Sequence, residues 1–243
     1  MSAKTRLDQL LVARGFYPSG EKARRAIMAG LVYVDGQKAD KPGRSIAGAA
    51  GLEVRAGEKF VGRGGLKLEA ALEHFQIAVE GRVAVDVGAS TGGFTDCLLQ
   101  RGAKKVHAID VGHGQIDWKL RCDPRVVVKE GMNARFLTPA DIGEAVDVGV
   151  ADVSFISLTL ILPAAFALLT PAADMVVLIK PQFELSPDKV GKGGVVREPH
   201  FHEEAVAKIR TFVENAGWRW AGLIPSPIKG REGNVEFLAH LKP

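Results

Sequence analysis

The sequence predicts an α/β fold: a mostly parallel, seven-stranded sheet with helices on both faces, preceded by a small α+β unit. Three observations carry this. From residue 83 onward, short β-branched apolar runs alternate with amphipathic stretches, the pattern of a parallel sheet covered by helices. The last two apolar runs, near 218–224 and 235–241, are joined by a loop alone, which predicts a closing hairpin with one antiparallel strand at the sheet's edge. Positive charge collects at the start: residues 1–60 hold 11 Lys and Arg against 6 Asp and Glu, whereas the remainder holds 21 against 22. Such asymmetry suggests an anionic partner for the first quarter of the chain.

That first quarter reads as two short helices and a hairpin. Thr5 is placed to cap a helix carrying Leu7, Leu10 and Leu11, stopped by Gly15. Ser19 caps a second, Glu21 to Met28, with Ala23, Ile27 and Met28 inward and Lys22, Arg24 and Arg25 outward. Leu31–Val34 then runs into Asp35-Gly36, a favoured two-residue hairpin turn, and a strand near Leu52–Val54 closes the unit. Glycines 57, 62, 64 and 65 mark a connector over Ala56–Gly65. The first unit is thus expected at 1–58, a linker at 59–65 and the second unit at 66–243.

The second unit opens with the helix former Leu66–Leu72. Strands are expected near Val83–Val87, Val106–Asp110, Val126–Val128, Val146–Asp152 and Met175–Lys180. Helices fall near Phe94–Gln100, Gln115–Arg121, Leu158–Leu169 and His202–Ala216.

Between the first strand and its helix lies Asp86-Val87-Gly88-Ala89-Ser90-Thr91-Gly92-Gly93-Phe94, a strand end, a glycine-rich turn and a helix start where nucleotide-like cofactors sit. Three ligands compete for it. A dinucleotide wants G-x-G-x-x-G, which 88–93 do not supply. Gly88-Ala89-Ser90-Thr91-Gly92 matches the serine-hydrolase elbow G-x-S-x-G, with His200 or His202 as nominal partners. S-adenosylmethionine sites carry an acid ahead of the loop, as Asp86 does. Asp110, closing the second strand, is suited to accept both ribose hydroxyls, and the missing dinucleotide spacing favours this third option. Contacts are then expected from Asp86, Gly88, Ser90, Thr91, Gly92, Gly93, Phe94 and Asp110, with Asp152 nearby. Asn133 is placed for the adenine edge and Met132 for its ring.

With 47% hydrophobic and 25% charged residues, the chain reads as an ordinary globular protein. No N-terminal apolar segment reads as a signal peptide. The most apolar window, 158–179, is broken by Pro163, Pro171 and Asp174, so no membrane span is expected. Cys97 and Cys122 lack metal-ligand spacing and suit a reducing compartment, so the expectation is a cytoplasmic protein without a metal.

Asp152 and Lys180 leave neighbouring strands at their carboxyl ends, where ligands bind in open α/β sheets. With Lys67 and Glu236 they make a Lys, Asp, Lys, Glu set. This tetrad and the Asp86–Phe94 loop resemble those of FtsJ-type ribose 2′-O-methyltransferases, with a Rossmann-like class I methyltransferase fold. The first unit, through Arg6-Leu7-Asp8, Leu11, Gly15, Ser19, Ala23, Ile27, Gly30, Val32, Val34, Gly36 and Lys41-Pro42, resembles the S4 RNA-binding module. A basic residue usually follows that module's serine; here it is Gly20. The two together resemble the TlyA family, often labelled hemolysin A, including Arg63–Leu68, Gly193–Arg197 and Ser226–Gly230.

The resemblance implies S-adenosylmethionine-dependent 2′-O-methylation of cytidine in ribosomal RNA within ribosomal subunits. Lys180 would be general base, with Lys67, Asp152 and Glu236 around it. A free lysine is protonated at neutral pH, so this role needs surroundings that disfavour the ammonium. RNA would be gripped by Arg6, Lys22, Arg24, Arg25, Lys41 and Arg63, and by Lys189 and Lys192 on a loop from Phe183 to Pro199. Rival readings are a membrane-active hemolysin, an RNA-binding protein with an inactive transferase site, and methylation of a protein or small molecule.

Overall fold

The structure, a computed structural model, describes residues 4–55 and 57–243 and divides into two compact units, Met1–Glu58 and Lys59–Pro243. In the first, β1 (Lys4–Arg6) leads into α1 (Leu7–Ala13), and α2 (Gly20–Met28) follows. Then come β2 (Val32–Val34), β3 (Gln37–Lys38), β4 (Ser45–Ala47) and β5 (Leu52–Val54). Thr5 is not a cap: it pairs with Ile46 in a short β1–β4 ladder, and Arg6 takes the N-cap position. Ser19 does cap α2, its hydroxyl accepting from Lys22 N–H at 3.4 Å. Asp35 (φ 50°) and Gly36 (φ 78°) turn the β2–β3 hairpin with both residues left-handed, as a type I′ turn requires. Leu7, Leu11, Ala23, Ile27, Val32 and Ile46 fill the core. Met28, expected inward, is 73% exposed: Ala23, Ala26 and Ile27 already complete the buried face of α2.

The second unit begins earlier than the expected linker allows. Phe60 is buried, Val61 N–H donates to Asp96 Oδ2 at 2.9 Å, and α3 (Gly64–His74) takes Gly64 and Gly65 as its first turn. Glycine there marks close packing, since a Cβ on Gly65 would fall 2.2 Å from the Phe60 ring. Ala56, the first residue of the expected connector, lies outside the described residues.

Onward the chain forms β6 (Val83–Val87), α4 (Gly93–Gln100), β7 (Lys105–Ile109), α5 (Trp118–Arg121), β8 (Val126–Lys129), α6 (Pro139–Ile142) and β9 (Val146–Ala151). It ends with α7 (Leu162–Ala167), β10 (Leu169–Ile179), α8 (Pro181–Glu184), α9 (Pro199–Asn215), β11 (Arg219–Pro225) and β12 (Phe237–Lys242). The sheet order is β11-β12-β10-β9-β6-β7-β8, parallel except for β12. The reversed strand therefore lies one in from the edge, between β10 and β11, and not at the edge as the hairpin alone suggested. Every residue of β6 is buried, because α3 and α4 cover one face and α7 and α9 the other.

The helix expected over Leu158–Leu169 is shorter. A 3₁₀ turn at Leu158–Leu160 precedes α7, Pro163 sits in that helix's first turn where no N–H is missed, and Leu169 pairs with Val146. Among the described residues, no helix is long and apolar enough to cross a membrane.

Candidate active site

Register builds the site. Val87, Ala151 and Val177 lie level across β6, β9 and β10, so the residues that follow them emerge on one rim. Ile179 pairs with Phe237 on the reversed β12, which sets Lys180 and Glu236 side by side in the sheet. Lys180 occupies the N-cap position of α8, fixed by Pro181 behind it. Its amine lies 2.6 Å from Asp152 Oδ1 and donates to Ser154 Oγ at 2.9 Å. Lys67, from α3, pairs with Glu236 at 2.5 Å. The four tetrad residues thus form two ion pairs at the wall of one cavity of about 660 Å³.

A second cavity, about 550 Å³, adjoins it at Ser90, Asp152, Ser154 and Phe155. It opens where the loops after β6 and β9 part, the point at which strand order reverses and α/β sheets bind ligands. Gly88 (φ 85°) makes the cradle: a Cβ there would stand 2.6 Å from the Asp152 carbonyl oxygen. Each Asp110 oxygen accepts one backbone N–H at 2.7 Å, from Ser90 and Gly112, which leaves further lone pairs facing the cavity. Met132 and Asn133 line the far end; Asn133 Oδ1 also accepts from Arg135 N–H and caps that turn. Thr91, Gly93 and Phe94 line a smaller space of about 170 Å³ with Gly88, Asp152 and Lys180. An elongated ligand with a vicinal diol and a heterocyclic end fits these residues.

Two residues expected to touch the cofactor do not line these cavities. Asp86 is fully buried: Oδ2 accepts from Thr95 Oγ1 at 2.7 Å and Oδ1 has no partner. Burial pushes its pKa up to about 7 against the opposing Thr95 hydrogen bond, with the Asp152 charge adding to the rise. Gly92 (φ 95°) sits under Leu120 and starts α4. Both residues hold the loop and leave its lining to others. Ser90 Oγ faces Gln115 at 3.4 Å, while His202 Nε2 is bound to the Val196 carbonyl, so the bonds these two make are not those of a hydrolase triad.

The cations expected to grip RNA differ in their freedom. Lys22 and Lys41 are exposed. Arg6 pairs with Asp8 at 2.9 Å, holding that carboxyl below its usual range, and Arg24 approaches Asp8 at 3.8 Å. Arg25 pairs with Glu21 and Lys189 with Glu204, each at 2.5 Å. Arg63 lines the 660 Å³ cavity, and Lys192 is exposed on the loop after α8.

Sequence reasoning missed Ser154, Phe155 and Asn234. Phe155, 91% exposed at φ 63°, stands where the cavities meet. The signal was available: Ser154 and Phe155 lie two and three residues beyond Asp152, the tetrad acid that follows β9. Among the described residues, no three His, Cys, Asp or Glu side chains gather as a metal-ligand set.

Both units of the chain resemble known proteins. The FtsJ-like methyltransferase model matches residues 60–243 and the S4 domain model residues 5–48. The chain is 47% identical over its whole length to the 16S/23S rRNA (cytidine-2′-O)-methyltransferase TlyA of Mycobacterium tuberculosis, covering 91% of that protein. It is 43% identical to Hemolysin A of Brachyspira hyodysenteriae, across 97% of this chain and 98% of that one. A solved structure from Streptococcus thermophilus is 45% identical with a TM-score of 0.75, covering 99% of this chain and 89% of that one. The residues that bear the two lysine–acid pairs and the glycine cradle all lie within the span of the transferase model, and the protein belongs to the FtsJ-like methyltransferase family, with an S4 domain ahead of the transferase.

Proposed function

We propose that the protein methylates the ribose 2′-hydroxyl of a cytidine in ribosomal RNA, using S-adenosylmethionine. The observation that carries this reading is the place of Lys180: its amine faces the larger cavity from the strand end where that cavity meets the cofactor crevice. The names of the relatives supply the nucleotide and the RNA. When bound, S-adenosylmethionine supplies a methyl group activated by the positive sulfonium. Gly88, Asp110, Met132 and Asn133 would hold it.

The protein's own residues then have a simple task. Once the paired ammonium has released a proton to solvent, Lys180 Nζ takes the proton of the 2′-hydroxyl, and Asp152, 2.6 Å away, stabilises the ammonium that results. Ser154 fixes the amine's direction. Lys67 and Glu236 line the same cavity next to Lys180, and their pairing leaves no uncompensated buried charge. Much of the rate comes from position, since an activated methyl and a held hydroxyl need mainly alignment. The S4 domain brings Lys22 and Lys41 to phosphates, giving affinity with little sequence reading. With ribosomal subunits as substrate, the protein would act in the cytoplasm.

The test is transfer of labelled methyl into separated ribosomal subunits, followed by nucleotide mapping. The expected product is a 2′-O-methylcytidine; label on a base, or none in RNA, overturns the reading. Lys180→Arg keeps the charge but cannot act as a base, so transfer should fall by about 10²–10⁴-fold with cofactor affinity retained. A wild-type rate from that variant removes the base assignment alone.

A further inference from the structure

Asn234 lies two residues before Glu236 and is 1% exposed, in a loop that is otherwise largely open. Its side chain behaves as a peptide group. Nδ2 donates to the Gly194 carbonyl at 2.8 Å and Oδ1 accepts from Val196 N–H at 2.9 Å. Its own carbonyl accepts from Gly230 N–H at 2.9 Å, and Ser226 Oγ donates to Ile228 O at 2.6 Å within the same loop. Opposite, Gly191 and Val195 pair as an isolated antiparallel bridge around Gly193 (φ 80°) and Gly194 (φ 74°). One buried amide therefore joins two surface segments, the 191–196 glycine hairpin and the 226–236 loop.

Both segments line the larger cavity, through Gly193, Gly194, Lys229 and Arg231. Neither makes a strand of the main sheet, so nothing else in the sheet register sets the gap between them. The Asn234 side chain does so, and its backbone continues straight into Glu236 and β12. A Cβ on Gly230 would stand 2.5 Å from Glu236 Oε1, so the loop also closes tightly over the tetrad acid.

We propose that Asn234 is a positioning residue for the acceptor. It joins the glycine hairpin to the Glu236 strand as a single rigid wall, against which the target ribose and its strand are held beside Lys180. The inference rests on the methyl-transfer reading above and adds to it the residue that sets acceptor binding. Loss of this amide leaves the buried Val196 N–H unpaired and gives the more exposed Gly194 carbonyl over to water, which frees the hairpin to move. Asn234 and the 191–196 hairpin line the acceptor cavity and not the cofactor crevice, which the 226–236 loop meets through Arg231, so RNA binding is the event its variants disturb first.

The experiment uses the full-length chain with ribosomal subunits and S-adenosylmethionine. Asn234→Asp keeps the acceptor for Val196 but sets a carboxylate against the Gly194 carbonyl; Asn234→Ala removes both bonds. Each should raise KM for RNA about tenfold or more while kcat and calorimetric cofactor affinity stay near wild type. In Asn234→Ala, the amides of 191–196 should exchange hydrogen faster while those of β6 and β9 keep their protection. A merely structural role would lower the active fraction, and so kcat, with KM unchanged; that result overturns the proposal, as does unaltered exchange in the hairpin. If the wild-type protein itself transfers no methyl to RNA, the methyl-transfer reading fails first, and the exchange measurement still decides whether Asn234 holds the hairpin.

Discussion

Lys67 and Glu236, 169 residues apart in sequence, meet in a buried ion pair of 2.5 Å that ties α3 to the start of β12. Removing one partner of such a pair leaves a charge without water or counter-charge, at a cost of about 3–5 kcal/mol. Glu236→Gln should therefore lower the denaturation midpoint markedly as well as methyl transfer. The double variant Lys67→Met with Glu236→Leu should recover most of the stability and none of the activity. Chemical denaturation beside a transfer assay separates the two; a double variant as unstable as the single one contradicts the argument.

Ser154 gives a subtler case. Its hydroxyl accepts from Lys180 at 2.9 Å and fixes the amine's direction, while the Asp152 pair survives without it. Ser154→Ala should lower kcat by roughly 3–10-fold, the equivalent of one hydrogen bond of about 1 kcal/mol. KM for S-adenosylmethionine should hold. A change confined to that KM would mean that Ser154 acts on the cofactor and not through the Lys180 amine.

The strands were legible in the sequence wherever burial on both faces demands a continuous apolar run, as in Val83–Val87 and Met175–Ile179. Order along the edge was not, because a hairpin's sequence does not say which arm meets β10. The register Ile179 to Phe237 decides that, and with it the approach of Glu236 to Lys180. Helix α6 was passed over although Thr138 and Asp141 form a capping box around Pro139; a single turn has no periodicity to detect. At the site, Lys180 and Asp152 were readable as charges at buried strand ends. Asn234 was not, since a polar loop residue carries no sign that both its bonds are to another loop. The direction of Asp86 was hidden for a related reason: the acid marks the loop, but only Thr95, in the first turn of α4, shows that the carboxylate faces inward.

Gly88 tests the cradle. It holds φ 85°, and its missing Cβ would lie 2.6 Å from the Asp152 carbonyl oxygen, a backbone atom that cannot swing aside. Gly88→Ala carries roughly 1–2 kcal/mol of left-handed strain before any contact is counted. The clash then pushes apart the loops that form both cavities. Cofactor affinity by calorimetry should fall by more than tenfold. Gly81→Ala, also at positive φ (72°) but with open space around it, should lose stability without losing affinity. Equal affinity losses in the two variants would mean that strain and not the cradle is responsible.

Asp86 makes a prediction about pH. Burial raises its pKa from 3.8 to about 7 in the folded protein, whereas in the unfolded chain it titrates near the ordinary value. Between those two values the folded state holds a proton that the unfolded state has released, so this group's contribution to stability is full below about pH 4 and declines as pH rises to about 7. The sign is opposite to that of a salt-bridged carboxylate such as Asp174, whose pKa is lowered by Arg82, His240 and Lys242 in spite of its burial. Asp86→Asn keeps an oxygen for the Thr95 hydroxyl and removes the titration. Denaturation of both proteins between pH 4.5 and 8 should therefore show the variant gaining on the wild type as pH rises, by a few kcal/mol in all, and levelling off above pH 7. A difference that stays constant across that range, or moves the other way, would mean that the Asp86 carboxyl is ionised in the folded protein and that Oδ1 has found a partner.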